Sequence, residues 1–238
     1  TQHGYGKEAV QCFELMQREG CLPNSVTFIS SLKACASVGA IDMGREIHVK
    51  IEQKGFLDSN ITVGNTLIYM YVTFCLLTKA EQVFEMLPSQ TLACWNALIA
   101  GHAQHGNGEE TLELLNQMQD SGVIPTDVTF ISVLNACSHA GLVNEGCCWF
   151  NCMGKKYGIK ASVDHYGCMV DLLGRIGQVE EAEELINIMS FLPNTVTWST
   201  LANAPRANID VNKVLIATTF VFELEPDNTG TYITLSNI

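Results

Sequence analysis

The sequence repeats itself over a displacement of 102 residues, and this repeat constrains the fold more than any other feature. Val26-Thr-Phe-Ile-Ser30 recurs as Val128-Thr-Phe-Ile-Ser132, and Gln2-His3-Gly4 recurs as Gln104-His105-Gly106. A fixed period is typical of supersecondary units that stack, because one unit alone does not bury its apolar face. We therefore expect a repeat protein rather than a globule around a single core.

The apolar residues of the repeat follow the periodicity of an α-helix. Positions i, i+3, i+4 and i+7 share one face of a helix. This spacing is found at Ala80, Val83, Phe84 and Leu87, and 102 residues later at Ala182, Leu185, Ile186 and Met189. A period of 102 residues is too long for a single pair of helices, so it must contain smaller repeats. No stretch shows the sustained alternation that indicates a β-strand.

Three related openings divide the period into repeats of 36, 31 and 35 residues. They are Val26-Thr-Phe28, Val63-Gly-Asn65 and Cys94-Trp-Asn96, and each is predicted to open a first helix. The predicted boundaries are 1–24 (second helix of a preceding repeat), 25–60 (long), 61–91 (short), 92–126 (standard), 127–162 (long), 163–194 (short) and 195–238 (a degenerate C-terminal extension).

Each repeat is predicted to fold as two helices joined by a short turn. In repeat 92–126 the first helix is expected from Cys94 to His105, with Gly106 and Gly108 interrupting it before the second helix. Stacked pairs of this kind predict an all-α fold, namely a right-handed superhelical solenoid with a concave surface.

Composition limits the alternatives. The chain is 47% hydrophobic, which is ample for a buried core, and its longest strongly apolar stretch, 214–222, is too short to cross a membrane. The first residues offer neither a signal-peptide core nor an arginine-rich transit helix. The ten cysteines lie in apolar stretches with a helical pattern and are predicted to be buried reduced thiols. Because the chain lacks any C-x-x-C motif, no metal or cofactor is predicted.

The motifs resemble those of the plant pentatricopeptide repeat family, in the subclass that alternates long, short and standard repeats. The resemblance is carried by the repeat lengths and by His139–Gly146, Tyr157–Lys160 and Met169–Arg175. Residues 223–228 and 235–238 are similar to the C-terminal extension motifs of that subclass. The resemblance covers essentially the whole chain.

This resemblance implies sequence-specific binding of single-stranded RNA, with one base per repeat, as in other helical-repeat codes. It implies a specificity factor for organellar RNA processing or C-to-U editing, in a mitochondrion or plastid, with the mitochondrion preferred. An editing or RNA-processing protein is expected to dock on the C-terminal extension, and neither a membrane nor a small-molecule substrate is expected. No histidine has Glu two residues on, as a zinc deaminase requires, so an enzyme is not predicted.

In the family, the fifth residue of each first helix reads the base edge, the last residue of the repeat assists, and the second residue packs on the base. Transferred to this chain, the fifth residues are Ile29, Asn65, Asn96, Ile131 and Gly167, the last residues are Asn60, Thr91, Thr126, Ser162 and Asn194, and the packing residues are Val26 and Val128. Asn at the fifth position implies that repeats 61–91 and 92–126 select two adjacent pyrimidines. Thr91 and Thr126 depart from the Asp or Asn that usually accompanies it.

The net charge of −12 opposes this interpretation, because nucleic-acid binding draws on neutralised phosphates. Two groups of lysines, Lys50 with Lys54 and Lys155 with Lys156 and Lys160, offer a local positive strip, although a solvated face explains them more simply. The alternative function is a helical scaffold that binds a protein.

Plain structural explanations also exist for single residues. Asn65 and Asn96 stand near helix starts, where asparagine commonly caps the helix. Trp95 and Trp198 are expected to pack between helices rather than to stack on bases.

Overall fold

The computed structural model describes residues 5–189 of the 238-residue chain. Every regular element in this part is an α-helix, which confirms the predicted all-α class. The predictions for Asn194, Trp198 and the C-terminal extension concern residues outside the described part of the chain. The twelve helices within 5–189 are α1 (Gly6–Arg18), α2 (Ser25–Val38), α3 (Ile41–Gln53), α4 (Phe56–Ser59), α5 (Ile61–Thr73), α6 (Leu77–Met86), α7 (Leu92–Gln104), α8 (Gly108–Asp120), α9 (Asp127–Ala140), α10 (Val143–Tyr157), α11 (Val163–Arg175) and α12 (Val179–Asn187).

Five first helices are each followed along the chain by a second helix, in the pairs α2–α3, α5–α6, α7–α8, α9–α10 and α11–α12. In each of these pairs, a residue with left-handed backbone follows the first helix. Four of these residues are glycines, which adopt positive φ without steric cost: Gly39, Gly106, Gly141 and Gly177. The fifth is Cys75, with φ of 58°, in the turn between α5 and α6. Gly108 was wrongly expected to interrupt a helix, since the structure has it as the first residue of α8. The helix expected from about Cys94 to His105 is α7, Leu92–Gln104.

The described residues divide into two compact bodies. The N-terminal body comprises 5–105 and 120–123, and the C-terminal body comprises 106–119 and 124–189. In the N-terminal body, α2 packs on α1, α3 and α5, and α5 packs on α6 and α7. In the C-terminal body, α9 packs on α10 and α11, and α11 packs on α12. Within each body, first helices therefore pack against the first helices of neighbouring hairpins, which buries the faces that one hairpin leaves open.

Aromatic residues fill equivalent places in the two bodies. Phe28 is fully buried, with the rings of Phe13 and Phe56 at 6.3 and 5.2 Å. Its counterpart 102 residues on, Phe130, is also fully buried and lies 5.2 Å from the ring of Tyr157. The repeated Val-Thr-Phe sequence thus supplies one core ring to each body.

Trp95 confirms the prediction that it packs between helices. Its side chain is buried, and its ring lies edge-on to that of Phe84, with 4.5 Å between the centroids. An edge-to-face arrangement of this kind is favourable beyond the area it buries.

The cysteine prediction is correct in part. All ten thiols are free, as predicted. Only Cys35, Cys94 and Cys137 are buried, however, and the expectation of burial was wrong for the four exposed cysteines, namely Cys12, Cys21, Cys75 and Cys148. They lie on the polar sides of helices or in turns, where an apolar local sequence does not ensure a covering neighbour.

None of the helices between residues 5 and 189 combines the length and the apolar character that a membrane-spanning segment requires.

Candidate nucleic-acid interface

Each predicted repeat that ends within residues 5–189 has as its last residue the N-cap of the next first helix. Asn24, Asn60, Thr91, Thr126 and Ser162 occupy this place, each with extended backbone. The side-chain oxygen of Asn60, for example, accepts hydrogen bonds from the backbone N–H groups of Thr62 at 3.1 Å and Val63 at 3.3 Å. Asn, Ser and Thr are preferred here because they satisfy N–H groups that lack a partner within the helix.

Asn65 and Asn96 are not caps, contrary to the structural explanation considered for them. Each is the fifth residue of its helix, in α5 and α7, and each is half-buried. The caps are Asn60 and Thr91, which precede the apolar runs of these helices. That pattern was visible in the sequence, where a polar residue immediately before an apolar run signals a helix start.

Asn65 and Thr91, the two predicted reading residues of repeat 61–91, contact each other. Asn65 Nδ2 donates to Thr91 Oγ1 at 3.2 Å, across 26 residues of sequence. The same hydroxyl accepts from the backbone N–H of Cys94 at 3.4 Å and so also caps α7. Thr91 therefore holds the carboxamide of Asn65 at the start of the following helix.

Thr126 and Ser162 form capping boxes instead. The backbone N–H of Thr126 donates to Thr129 Oγ1 at 2.9 Å. The backbone N–H of Ser162 donates to His165 Nδ1 at 3.1 Å, and Ser162 Oγ lies 2.7 Å from the same nitrogen. In a capping box the cap and the third helical residue satisfy each other's backbone groups.

His165 also connects two first helices, a role that was not inferred from the sequence. The side chain is fully buried, and its Nε2 lies 3.1 Å from the backbone carbonyl oxygen of Asp127, the first residue of α9. Since Nδ1 accepts the Ser162 N–H, the proton of the neutral ring is assigned to Nε2. Burial lowers the pKa of His165 from its ordinary value of 6.5, against the raising effects of Asp127 and Asp164.

The other predicted positions present apolar or open surface. Val26 and Val128, each the second residue of its helix, are 67% and 53% exposed. Ile29, Ile131 and Gly167, each a fifth residue, are half-buried, and a Cβ added to Gly167 would meet nothing within 4 Å. These residues offer contact area without a side-chain hydrogen bond.

Charge is distributed unequally between the two kinds of helix. The first helices α2, α5, α7, α9 and α11 together carry two basic residues, Lys33 and Arg175, and three acidic ones. The second helices α1, α3, α6, α8, α10 and α12 carry seven basic and sixteen acidic residues. The acidity that opposes RNA binding thus lies mainly on helices other than those that carry the candidate reading residues.

The grouped lysines belong to the second helices and the segments that follow them. Lys50 of α3 bonds to Gln17, and Lys156 of α10 donates to Gln119 Oε1 at 3.1 Å. Their neighbours Lys54, Lys155 and Lys160 are exposed. None of the five lies on a first helix.

Between residues 5 and 189, no group of three or more His, Cys, Asp or Glu side chains has an arrangement that could hold a metal ion.

Comparison with known proteins agrees with this architecture. The sequence model of the PPR repeat family matches residues 90–139. The model of the PPR repeat matches residues 1–21, 128–157 and 164–191.

Several relatives from Arabidopsis thaliana are similar over almost the whole chain. The pentatricopeptide repeat-containing protein At4g30700 is 41% identical over 238 residues, all of this chain and 30% of the relative. At1g56690, named mitochondrial, is 39% identical over 99% of this chain and 33% of its own length. At1g08070, named chloroplastic, is 40% identical over 98% of this chain and 31% of its own length. The chain therefore spans about a third of the length of these relatives.

Solved structures of PPR10 have a similar fold. The crystal structure of PPR10 from maize matches 95% of this chain and 33% of its own, with a TM-score of 0.62 and 24% identity. The structure of PPR10 in complex with an 18-nt psaJ RNA element matches 99% of this chain and 35% of its own, with a TM-score of 0.82 and 18% identity. By its helical hairpins and its sequence matches, the chain contains repeats of the pentatricopeptide type.

Proposed function

We propose that this chain binds single-stranded RNA through the N-terminal turns of its first helices, with one base per repeat. The observation that carries the proposal is the hydrogen bond between Asn65 and Thr91, the fifth and last residues of one repeat. The similarity to PPR10, which was crystallised with an RNA element, supports the same function. The repeat boundaries on which the proposal rests are 25–60, 61–91, 92–126, 127–162 and 163–194.

The chemistry of the pair suits a base edge. A carboxamide has two N–H donors and an oxygen with two lone pairs. Thr91 Oγ1 accepts from one N–H of Asn65 at 3.2 Å and lies within donating distance of Asn65 Oδ1 at 3.4 Å, which restricts the rotation of the amide. The second N–H and the second lone pair of Oδ1 are left for a ligand. We propose that Asn65 reads a pyrimidine in this way, and that Asn96, at the same place in repeat 92–126, reads the adjacent one.

The remaining repeats contribute shape more than hydrogen bonds. Val26 and Val128 are exposed one turn before Ile29 and Ile131, where they are proposed to pack on bases. Asn60 Oδ1 accepts from two backbone N–H groups, and Ser162 Oγ bonds to His165 Nδ1, so both side chains are committed in part to capping. Sequence selection is therefore proposed to come mainly from repeats 61–91 and 92–126.

At the level of the cell, we propose a specificity factor for organellar RNA processing or C-to-U editing. The names of two relatives, one mitochondrial and one chloroplastic, support an organelle without choosing between them. The subclass with long, short and standard repeats, and the docking of an RNA-processing protein on residues 195–238, belong to the same proposal.

A protein-binding scaffold is the second candidate. The observation in its favour is the sixteen acidic residues of the second helices, four of them on α8 and four on α12. Such helices suit a basic protein partner better than they suit RNA.

The test is a fluorescence-anisotropy titration of the whole chain with pyrimidine-rich and purine-rich single strands at two salt concentrations. The Asn65→Ala, Asn96→Ala double variant is expected to lose the preference for pyrimidines by roughly tenfold or more, because a bidentate contact gives about 1–3 kcal/mol of discrimination. The matched control is Asn116→Ala, Asn144→Ala, which removes two exposed asparagines from second helices. Equal affinity of the wild-type chain for every oligonucleotide would remove the base-reading proposal.

A further inference from the structure

Tyr69 lies on the same face of α5 as Asn65, one helical turn further along. A spacing of four residues corresponds to about 6 Å along a helix axis. The side chain of Tyr69 is 53% exposed, although α5 is otherwise among the more deeply buried helices of the described part. An aromatic ring is thus displayed beside the proposed base-reading carboxamide.

The exposure of Tyr69 contrasts with the burial of Tyr71, two residues later. Tyr71 is 2% exposed, and its hydroxyl lies 2.7 Å from His48 Nδ1. Tyr69 takes part in none of the ring pairs found between residues 5 and 189. Tyr71 is therefore a packing residue of α5, whereas the ring of Tyr69 is exposed and pairs with no other ring in this part of the chain.

The neighbouring first helix places a cation at the equivalent position. Tyr69 is the ninth residue of α5, and Lys33 is the ninth residue of α2, which packs on α5. Lys33 is exposed and is the only basic residue of α2. A cation for phosphate and an aromatic ring for a base are the two contacts that single-strand-binding surfaces combine.

The surroundings of Tyr69 fit a nucleotide better than a protein partner. The exposed or half-buried residues on its face of α5 are Thr62, Asn65 and Thr73, all polar and uncharged. The buried centre of a protein interface is enriched in apolar and aromatic residues, which this face lacks apart from the one ring.

From these relationships we propose that Tyr69 stacks on a nucleotide of the bound single strand, while Lys33 contacts a phosphate close to it. This inference rests on the proposed RNA-binding function and adds a contact that does not depend on base identity. Every base has a π face, so stacking raises the affinity for all sequences alike. Asn65 and Tyr69 would then divide selection and affinity between two turns of one helix.

The first test compares Tyr69→Ala with wild type by anisotropy on pyrimidine-rich and purine-rich strands. We expect the Kd to rise roughly 5- to 100-fold for both strands, with their ratio unchanged. Tyr69→Phe keeps the ring and should bind like wild type. The control is Val49→Ala, which removes a side chain of similar exposure, 50%, from the second helix α3.

The second test reports the contact directly. With Tyr69→Trp, a base stacked on the indole should quench its fluorescence saturably as RNA is added. Val49→Trp should show no saturable quenching. The inference would be overturned if Tyr69→Ala bound RNA as tightly as wild type. It would also be overturned if Tyr69→Trp bound RNA without quenching of the new tryptophan. Either result would leave the proposed RNA binding intact. Failure of the wild-type chain to bind any strand would overturn the proposed function itself.

Discussion

Thr91 Oγ1 accepts a hydrogen bond from Asn65 Nδ2 at 3.2 Å and one from the Cys94 backbone N–H at 3.4 Å. A single hydroxyl therefore orients the carboxamide of one repeat and caps the first helix of the next. Because capping and orientation depend on the same atom, the stability of the α7 terminus and the proposed base selection of repeat 61–91 should be coupled.

Thr91→Val tests this coupling. Loss of the hydroxyl should lower the free energy of unfolding by about 1 kcal/mol, the usual cost of losing an N-cap, and should reduce the preference of the chain for pyrimidines. Thr91→Ser keeps the hydroxyl and should preserve both properties. Denaturant unfolding and anisotropy titration measure them.

Asn24→Ala is the matched control for that experiment, since it removes the cap of α2, whose side-chain oxygen accepts from Thr27 N at 2.9 Å, without touching Asn65. It should cost similar stability and leave the selection at Asn65 unchanged. An unaltered pyrimidine preference in Thr91→Val would show that the hydrogen bond does not orient the amide.

His165 should make the fold less stable in mild acid. Burial lowers the pKa of His165, so the unfolded chain takes up a proton below about pH 6.5 while the folded ring stays neutral. The stability is fully present above that pH and is lost as the pH falls through the unfolded value towards the lower folded one. Protonation would also place a hydrogen on Nδ1, where the Ser162 N–H is accepted.

The measurement is the midpoint of urea unfolding between about pH 7.5 and 5.5, where carboxylates contribute less than histidines. His165→Gln should show a shallower loss than wild type. His48, whose pKa burial also lowers, titrates in the same direction and stays in both proteins, so the comparison isolates His165. The exposed His139→Gln serves as control, and identical slopes for wild type and His165→Gln would refute the prediction.

Cys75→Gly should stabilise the chain. Cys75 has a φ of 58°, and left-handed backbone costs an L-residue about 1–2 kcal/mol, which exceeds the entropy that glycine adds to the unfolded state. The expected gain is about 0.5–1 kcal/mol in denaturant unfolding. Cys148→Gly, in the interior of α10, should instead lose about 0.5–1 kcal/mol. A destabilised Cys75→Gly variant would mean that the thiol makes a contribution that the turn geometry does not reveal.

Two glycine-to-alanine substitutions should change the free energy of unfolding in opposite directions. A Cβ at Gly108 would lie 2.6 Å from the Cβ of Ala140, which cannot move away without moving its helix, so Gly108→Ala should cost about 1–3 kcal/mol. At Gly154, in α10, the nearest atom to a new Cβ is the Ile159 carbonyl oxygen at 4.0 Å. Gly154→Ala should therefore gain up to about 1 kcal/mol of helix propensity. Thermal unfolding of both variants checks the signs.

Native-state alkylation should separate the cysteines by burial. Cys12, Cys21, Cys75 and Cys148 are exposed and should react first with iodoacetamide. Burial raises the pKa of Cys35 to about 11 and that of Cys137 to about 12, so both lack the reactive thiolate as well as access. Peptide mass mapping gives the order in which the cysteines are labelled. Labelling in denaturant should modify all ten cysteines. Early labelling of Cys35 or Cys137 would indicate that the hairpins open locally.

The helical hairpins were predictable because their determinants are local. A helix face repeats within four residues, a glycine such as Gly141 ends its helix by its own backbone, and a cap such as Asn60 acts on the two or three residues that follow it. The 102-residue displacement then transfers each local conclusion from one cycle to the next. The four exposed cysteines were misjudged because burial depends on neighbouring helices, whereas the caps Asn60 and Thr91 were overlooked although a local pattern signals them.

Only the tertiary structure decided which side chains meet. Asn65 and Thr91 are 26 residues apart, and His165 lies 38 residues from the carbonyl of Asp127 that it contacts. The periodicity of α5 does not reveal that Tyr71 is covered by α3 while Tyr69 is not, because that depends on where the neighbouring helix lies. Contacts of this kind arise when hairpins stack, and stacking is set by the packing of whole helix faces rather than by any short segment of the chain.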